Sequence, residues 1–306
     1  MFDMPKSVLS LITCLALTAA LGSNTIVACA QTQAVQSDSV SKLSEGPGHT
    51  ATEDADKIRF HRMQRLDSKL LIERGPASAP TETCRYESAI AVVPPHRRVA
   101  LTFDDGPEPG QTEHILAVLH KHGVSASFFM VGEKVQRHPE LVAAVHAAGS
   151  HLIGNHSWTH PNFHTISVEQ QRKEVVDTDF VLNGLTTMKL FRYPYGNSTC
   201  DTNRMLKDEG YASVGWHVDS CDWAFDRTGT VNAREAMECN VLPQYHKNYV
   251  EHVLSAVRAH NGGIILMHEI HPNTVRQLED IISQLKASGF EFGSLSEEAF
   301  ASSLQR

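Results

Sequence analysis

The chain has no excess of positive charge: its 306 residues hold 27 Lys and Arg against 35 Asp and Glu, a formal net charge of −8. No basic cluster interrupts that balance. The balance therefore argues against nucleic acid or an anionic membrane surface as the main partner. The apolar run from Val8 to Leu21 is too short for a comfortable membrane span, which needs ~20 residues. Cysteine is scarce, with six in all and no pair at C-x-x-C spacing, which argues against a cysteine zinc site.

What the first residues do contain is a leader pattern. Lys6 precedes the Val8 to Leu21 run, and Ala28-Cys29-Ala30 has the small-x-small form of a secretory cleavage site, so residues 1–30 read as a signal peptide. Ile26-Val27-Ala28-Cys29 also resembles a bacterial lipoprotein box. In that case Cys29 would carry the lipid and be the chain's one membrane contact, although polar Ser23-Asn24-Thr25 interrupts the approach. The expected location is outside the cytoplasm, periplasmic or at the cell surface. Residues 31–84 are rich in Ser, Thr, Gln, Ala, Gly and Asp and read as a low-complexity tether. A short helix from Asp56 to Leu71 is expected there on the spacing of Ile58, Met63, Leu66 and Leu70. Beyond the leader remain Cys84, Cys200, Cys221 and Cys239, enough for two disulfides in an oxidising compartment, with all three pairings open.

Over residues 85–306 the pattern becomes alternating strand-like and helix-like runs, and 41% apolar residues in the chain suffice for a real core. Strands are expected at Val99 to Phe103, Ala126 to Val131, His151 to Gly154, Lys189 to Tyr193, Ala212 to Val218, Gly263 to Met267 and Phe290 to Gly293. Amphipathic helices are expected between them, as at Gln111 to His122 and Thr274 to Ala287. Gly123, Gly149, Gly210 and Gly289 stand where helices should stop. Seven β-then-α units imply an α/β fold of parallel strands with right-handed crossovers, closed or nearly closed into a barrel. Such a barrel carries its chemistry at the C-terminal ends of its strands.

Reactive residue types gather at those ends. Thr102-Phe103-Asp104-Asp105-Gly106-Pro107 closes the first strand with adjacent carboxylates. Alone this is turn chemistry. Adjacent carboxylates repel, however, unless one ligates a cation while the other accepts a proton. Asn155 and His156 follow the third strand, Arg192 and Tyr195 the fourth, Asp219 and Asp222 the fifth, and His268 the sixth. Their convergence on one barrel face marks an active site. His156 and His160 stand at i and i+4, which one helical turn would bring to one face about 6 Å apart. With Asp105 they make an Asp-His-His set that leaves a position for water or substrate. His164 continues the spacing, but Pro161 intervenes, so His164 is left outside the set. His268-Glu269-Ile270-His271 is not a zinc-protease motif, which needs its histidines four apart.

Five segments in order now carry a resemblance: Thr102 to Pro107, His156 to His160, Arg192-Tyr193-Pro194-Tyr195-Gly196, Asp219-Ser220-Cys221-Asp222-Trp223 and Ile265-Leu266-Met267-His268. The chain resembles the NodB-homology polysaccharide deacetylases from roughly Val99 to Leu295. The resemblance implies a distorted (β/α)7 barrel related to the TIM barrel, acting on N-acetylglucosamine of a polysaccharide such as peptidoglycan or chitin. It implies Asp105, His156 and His160 as metal ligands, Asp104 as general base and Arg192 as its partner. His268 would be the general acid and Asp222 its orienting carboxylate. The Tyr195 amide would steady the oxyanion, with Trp223, Leu266 and Tyr195 lining the substrate pocket. One divalent metal is implied; zinc suits the ligands, and cobalt, nickel or manganese could replace it.

The same residues would serve an O-acetyl esterase, for example on xylan, and a non-catalytic carbohydrate-binding relative would keep the fold without the base or acid. The segment between Trp223 and the helix near Asn248 is unusually long for the pattern. A disulfide from Cys221 to Cys239 or Cys200 would pin it over the groove. His217 and Glu269 flank motifs and have no explanation in the sequence.

Overall fold

The computed structural model of the protein describes residues 90–305. The expected leader at 1–30, Cys29, the tether at 31–84 with its helix at 56–71, and Cys84 lie outside the described residues. Among those described, the strands are β1 (Arg98–Gly106), β2 (Ala126–Met130), β3 (Leu152–Asn155), β4 (Leu190–Phe191), β5 (Ala212–Val214), β6 (Val218–Asp219), β7 (Gly263–His268), β8 (Glu291–Phe292) and β9 (Leu304–Gln305). They form one sheet in the order β6-β7-β1-β2-β3-β4-β5-β9, with β8 paired to the start of β1. All pairings are parallel except β9 against β5. The sheet curls into a barrel left open between its edge strands β6 and β9, β9 lying along the outer side of β5, in keeping with the distorted barrel expected.

That seam divides the single strand expected from Ala212 to Val218. His217 sits in the break and explains it: its N–H donates to the Ile264 carbonyl at 3.0 Å, and its Nδ1 accepts from the Ile264 N–H at 3.0 Å. Its Nε2 then donates to the Val92 carbonyl at 3.1 Å. Burial pushes its pKa down to about 4, so the ring is neutral and both nitrogens are spent on structure.

Alternation along the strands sorts the core. From β1, Val99, Leu101 and Phe103 face outward and pack with Ile115 and Leu119 of the helix Gln111–His122 and with Leu278 and Ile282 of the helix Pro272–Ala287. Ala100 faces inward with Phe129, Ile264, Phe300 and Leu304. Thr102 and Asp104 continue that inward row and are buried. On β7, Ile264 is inward while Ile265 and Met267 are outward, which leaves Leu266 and His268 on the inner row. The helix Pro272–Ala287 begins two residues before its periodic pattern because Pro272 suits the first turn. Gly123, Gly149, Gly210 and Gly289 all take positive φ, from 58° to 79°, at the helix ends.

Candidate active site

Strict alternation would point Asp105 to the side opposite Asp104. The register of β1 on β2 runs regularly to Asp104 against Phe129, then slips so that Gly106 faces Met130. Asp105 is left as a bulge with φ of 71°. The bulge turns its carboxylate back toward the mouth of the barrel. A non-glycine residue in this conformation costs roughly 1–2 kcal/mol, which the surrounding structure must offset.

The histidine pair expected on a helical turn lies in a loop after β3. Ser157 and His160 have φ of 67° and 57°, which no α-helix accommodates. The loop is fixed instead by polar ties. Asn155 Oδ1 accepts the Ser157 N–H at 2.9 Å, Ser157 Oγ accepts the His160 N–H at 3.1 Å, and the Glu174 carboxylate accepts the N–H groups of Trp158 and Thr159. The His156 and His160 rings nonetheless lie 4.9 Å apart, edge to face. His164 turns away, its Nε2 bonded to the Ser198 carbonyl at 2.8 Å.

Asp105, His156 and His160 offer three ligand atoms within 4.8 Å of one another. Asp105 Oδ1 stands 3.4 Å from His156 Nε2 and 3.2 Å from His160 Nε2, and it is buried without a hydrogen bond. His156 Nδ1 donates to the Arg192 carbonyl at 2.8 Å, which leaves the Nε2 lone pair facing Asp105. Burial and then the neighbouring His156 push His160 down to about 4, keeping it neutral. An orphaned carboxylate oxygen between two imidazole Nε2 atoms suits a divalent cation. Asp222, His268 and His271 form a second such group, but Asp222 is committed. Its Oδ1 accepts from His268 Nδ1 at 2.8 Å and the Trp223 N–H at 2.9 Å; its Oδ2 accepts from the His268 N–H at 2.7 Å and Thr274 Oγ1 at 2.6 Å. The residues fit a cation at the first group and not at the second.

Asp104 is held from the other side. Arg192, 1% exposed, donates Nη1 to Asp104 Oδ1 at 2.8 Å and to Thr102 Oγ1 at 2.7 Å. Its Nε reaches the Val214 carbonyl at 3.0 Å and its Nη2 the Gly215 carbonyl at 3.1 Å, with the guanidinium 4.3 Å over the Phe129 ring. A buried guanidinium is tolerable only when paired and hydrogen-bonded, and here it is both.

His268 closes the far side. Burial opposes its charge, but Asp222 first, then Asp105 and Asp104, push its pKa up to about 10. Trp223 is half-buried against the core beside Asp222, Leu266 lies on the inner row below His268, and Asp219 is pushed up to about 6 chiefly by burial. Tyr195 has φ of 59° and an exposed ring 4.8 Å from that of His160. Cys221 is bonded to Cys239, with Cα atoms 5.6 Å apart, tying residues 222–238 back to the end of β6. The structure thus gathers Asp104, Asp105, His156, His160, Arg192, Asp222 and His268 at one end of the barrel, with Tyr195 beside His160.

Two polar partners, Thr102 and Thr274, have no role assigned by the sequence. Thr102 has a visible signal, an inward hydroxyl two residues before Asp104, but Thr274 carries none that distinguishes it from a first-turn helix residue.

A family model described as polysaccharide deacetylase matches residues 91–214. A chitooligosaccharide deacetylase from Bradyrhizobium sp. is 34% identical over 212 residues, covering 64% of this chain and 87% of that protein. The peptidoglycan-N-acetylglucosamine deacetylase PgdA of Listeria monocytogenes is 33% identical over 208 residues, 66% of this chain but 39% of its own length. The chain therefore spans well under half of that relative. A crystal structure of a peptidoglycan N-acetylglucosamine deacetylase superposes with a TM-score of 0.57 at 29% identity, covering 72% of this chain and 96% of the other.

Proposed function

This chain belongs to the polysaccharide deacetylase family, and on that footing we propose that it hydrolyses the N-acetyl group of N-acetylglucosamine residues in a cell-wall or chitin-like polysaccharide, releasing acetate. The observation that carries the proposal is the arrangement of two differently partnered groups around one cation-ready cluster: Asp104 on Arg192, His268 on Asp222, and Asp105 with His156 and His160 between them.

Asp105, His156 and His160 would hold a divalent cation, zinc by preference. When bound it supplies Lewis acidity, polarising the acetyl carbonyl and acidifying water near neutral pH. Asp104, hydrogen-bonded by Arg192, takes the proton of the attacking water. The amine leaves only once protonated, and His268, charged through Asp222, supplies that proton. The Tyr195 N–H is the donor assigned to the developing oxyanion. Trp223 and Leu266 wall the space for the acetyl methyl, and the exposed Tyr195 ring offers a sugar-facing surface. Residues 1–30 would direct export, 31–84 would tether, and 85–306 would act on the wall outside the cytoplasm.

The test is acetate release from peptidoglycan, chitin oligomers and acetylated xylan in parallel, with and without chelator. Release from either N-acetylated polymer, lost to chelator and restored by zinc, is the expected result. Release from xylan alone would make the chain an O-acetyl esterase. Release from none would make it a non-catalytic relative.

A further inference from the structure

Glu269 is wholly buried, yet its Oε1 has no hydrogen-bond partner. A carboxyl placed only to fill space would be better replaced by an apolar side chain, so such a group in a packed barrel needs a reason. Its surroundings supply one. The Glu269 N–H donates to the Asp104 carbonyl at 3.1 Å. Its Oε2 accepts from the Thr112 hydroxyl, which in turn accepts the Glu108 N–H at 2.8 Å. Its Oε1 occupies the space beneath Gly106 so closely that a Cβ there would lie 1.3 Å away. Gln111 Nε2 adds a parallel tie to the Ile270 carbonyl at 3.2 Å. The residue after His268 thus props the bulge from below and fastens it to the helix that follows.

We propose that Glu269 is a positioning residue: its side chain, seated under Gly106 and anchored on Thr112, holds the bulge at Asp105 so that this carboxylate faces His156 and His160. Glu269 itself touches neither substrate nor cation. The inference rests on the cation site proposed above and explains why position 106 admits only glycine while Glu269 is present. Residues that orient a ligand without touching the cation commonly change its affinity by about ten- to a hundredfold when removed.

The test is a cobalt(II) titration of the metal-free full chain, read by visible absorption, for wild type, Glu269→Ala, Glu269→Gln, Gly106→Ala and the Gly106→Ala/Glu269→Ala pair. Glu269→Ala should bind cobalt about tenfold or more weakly with an altered spectrum, while Glu269→Gln, of the same size and with an acceptor for Thr112, should restore most of the affinity. Gly106→Ala should weaken binding by forcing the carboxyl out. The double variant, in which the added methyl enters the vacated space, should bind no worse than Glu269→Ala alone. Wild-type affinity and spectrum in Glu269→Ala, or fully additive losses in the pair, would overturn the inference. If Glu269→Ala does not fold, Glu269→Gln and Gly106→Ala decide: wild-type affinity in Gly106→Ala overturns the inference, and weaker binding there alongside near-normal Glu269→Gln supports it. A wild-type chain that takes up no cobalt would instead overturn the metal-dependent reading and this inference with it.

Discussion

Asp104 and Asp105 are consecutive in the chain, yet both carboxylates reach the same ring nitrogen, His156 Nε2, at 3.6 and 3.4 Å. Arg192 bonds Asp104, whereas among the described residues no Lys or Arg side chain pairs with Asp105, whose neighbours are His156 and His160. The pair is therefore chemically unequal, and substitutions should separate its halves.

Asp104→Asn keeps an acceptor for Arg192 and leaves Asp105, His156 and His160 in place. It should bind metal as the wild type does and lose at least about a hundredfold in kcat, the scale of general-base removal. Metal content and steady-state acetate release check this together. Undiminished turnover would remove Asp104 from the base role.

His156→Ala and His160→Ala should each purify without stoichiometric metal and show no activity that added zinc at micromolar levels restores. Each takes away one of three ligands. Atomic emission on the purified variants gives the answer, and full metal retention in either refutes the ligand set.

The pH profile should report His268. Its pKa is raised to about 10 in the folded chain, so the charged acid is present below that value and lost as pH rises through it. A bound dication offsets the two carboxylates that help raise it, which places the alkaline limb of kcat at or below about 10. Asp222→Asn removes the main raising partner and should shift the limb acidward by roughly one pH unit or more. The same sign governs stability. A raised pKa stabilises fully below the unfolded value near 6.5 and fades as pH climbs toward about 10, so wild type should lose more melting temperature over that interval than Asp222→Asn. An unmoved limb in Asp222→Asn would break the assignment.

Cys239→Ser opens a covalent loop of 18 residues in sequence separation and should lower unfolding stability by about 3 kcal/mol in urea titrations. Non-reducing peptide mapping should recover the Cys221 and Cys239 peptides joined. Recovery of both as free thiols would contradict the structure.

Much of this architecture was readable in advance because it rests on periodicity. Period-2 alternation and terminal glycines located strands and helices, and the helix Gln111–His122 came out with its expected ends. Breaks in periodicity were not readable. The seam at His217 depends on hydrogen bonds to residues 92 and 264, distant in sequence, so Ala212 to Val218 reads as one strand. Likewise the i, i+4 spacing of His156 and His160 suggested a helix, whereas loop ties from Asn155 and Glu174 produce a similar ring separation by another route. The reason for Glu269 lay in a contact with Gly106, more than a hundred and fifty residues away, which no local pattern encodes.

Arg192 has a consequence for judging relatives of this chain. Its guanidinium ties the end of β5 to β1 beside the unclosed seam, so a fold that gave up chemistry would still need it. Losing it strands acceptors at Val214, Gly215, Thr102 and Asp104 together, whereas exchanging Asp104 for a neutral acceptor leaves the other three bonds intact. Drift toward an inert barrel is therefore easiest through position 104, and an arginine at 192 certifies a sound scaffold without certifying a working enzyme.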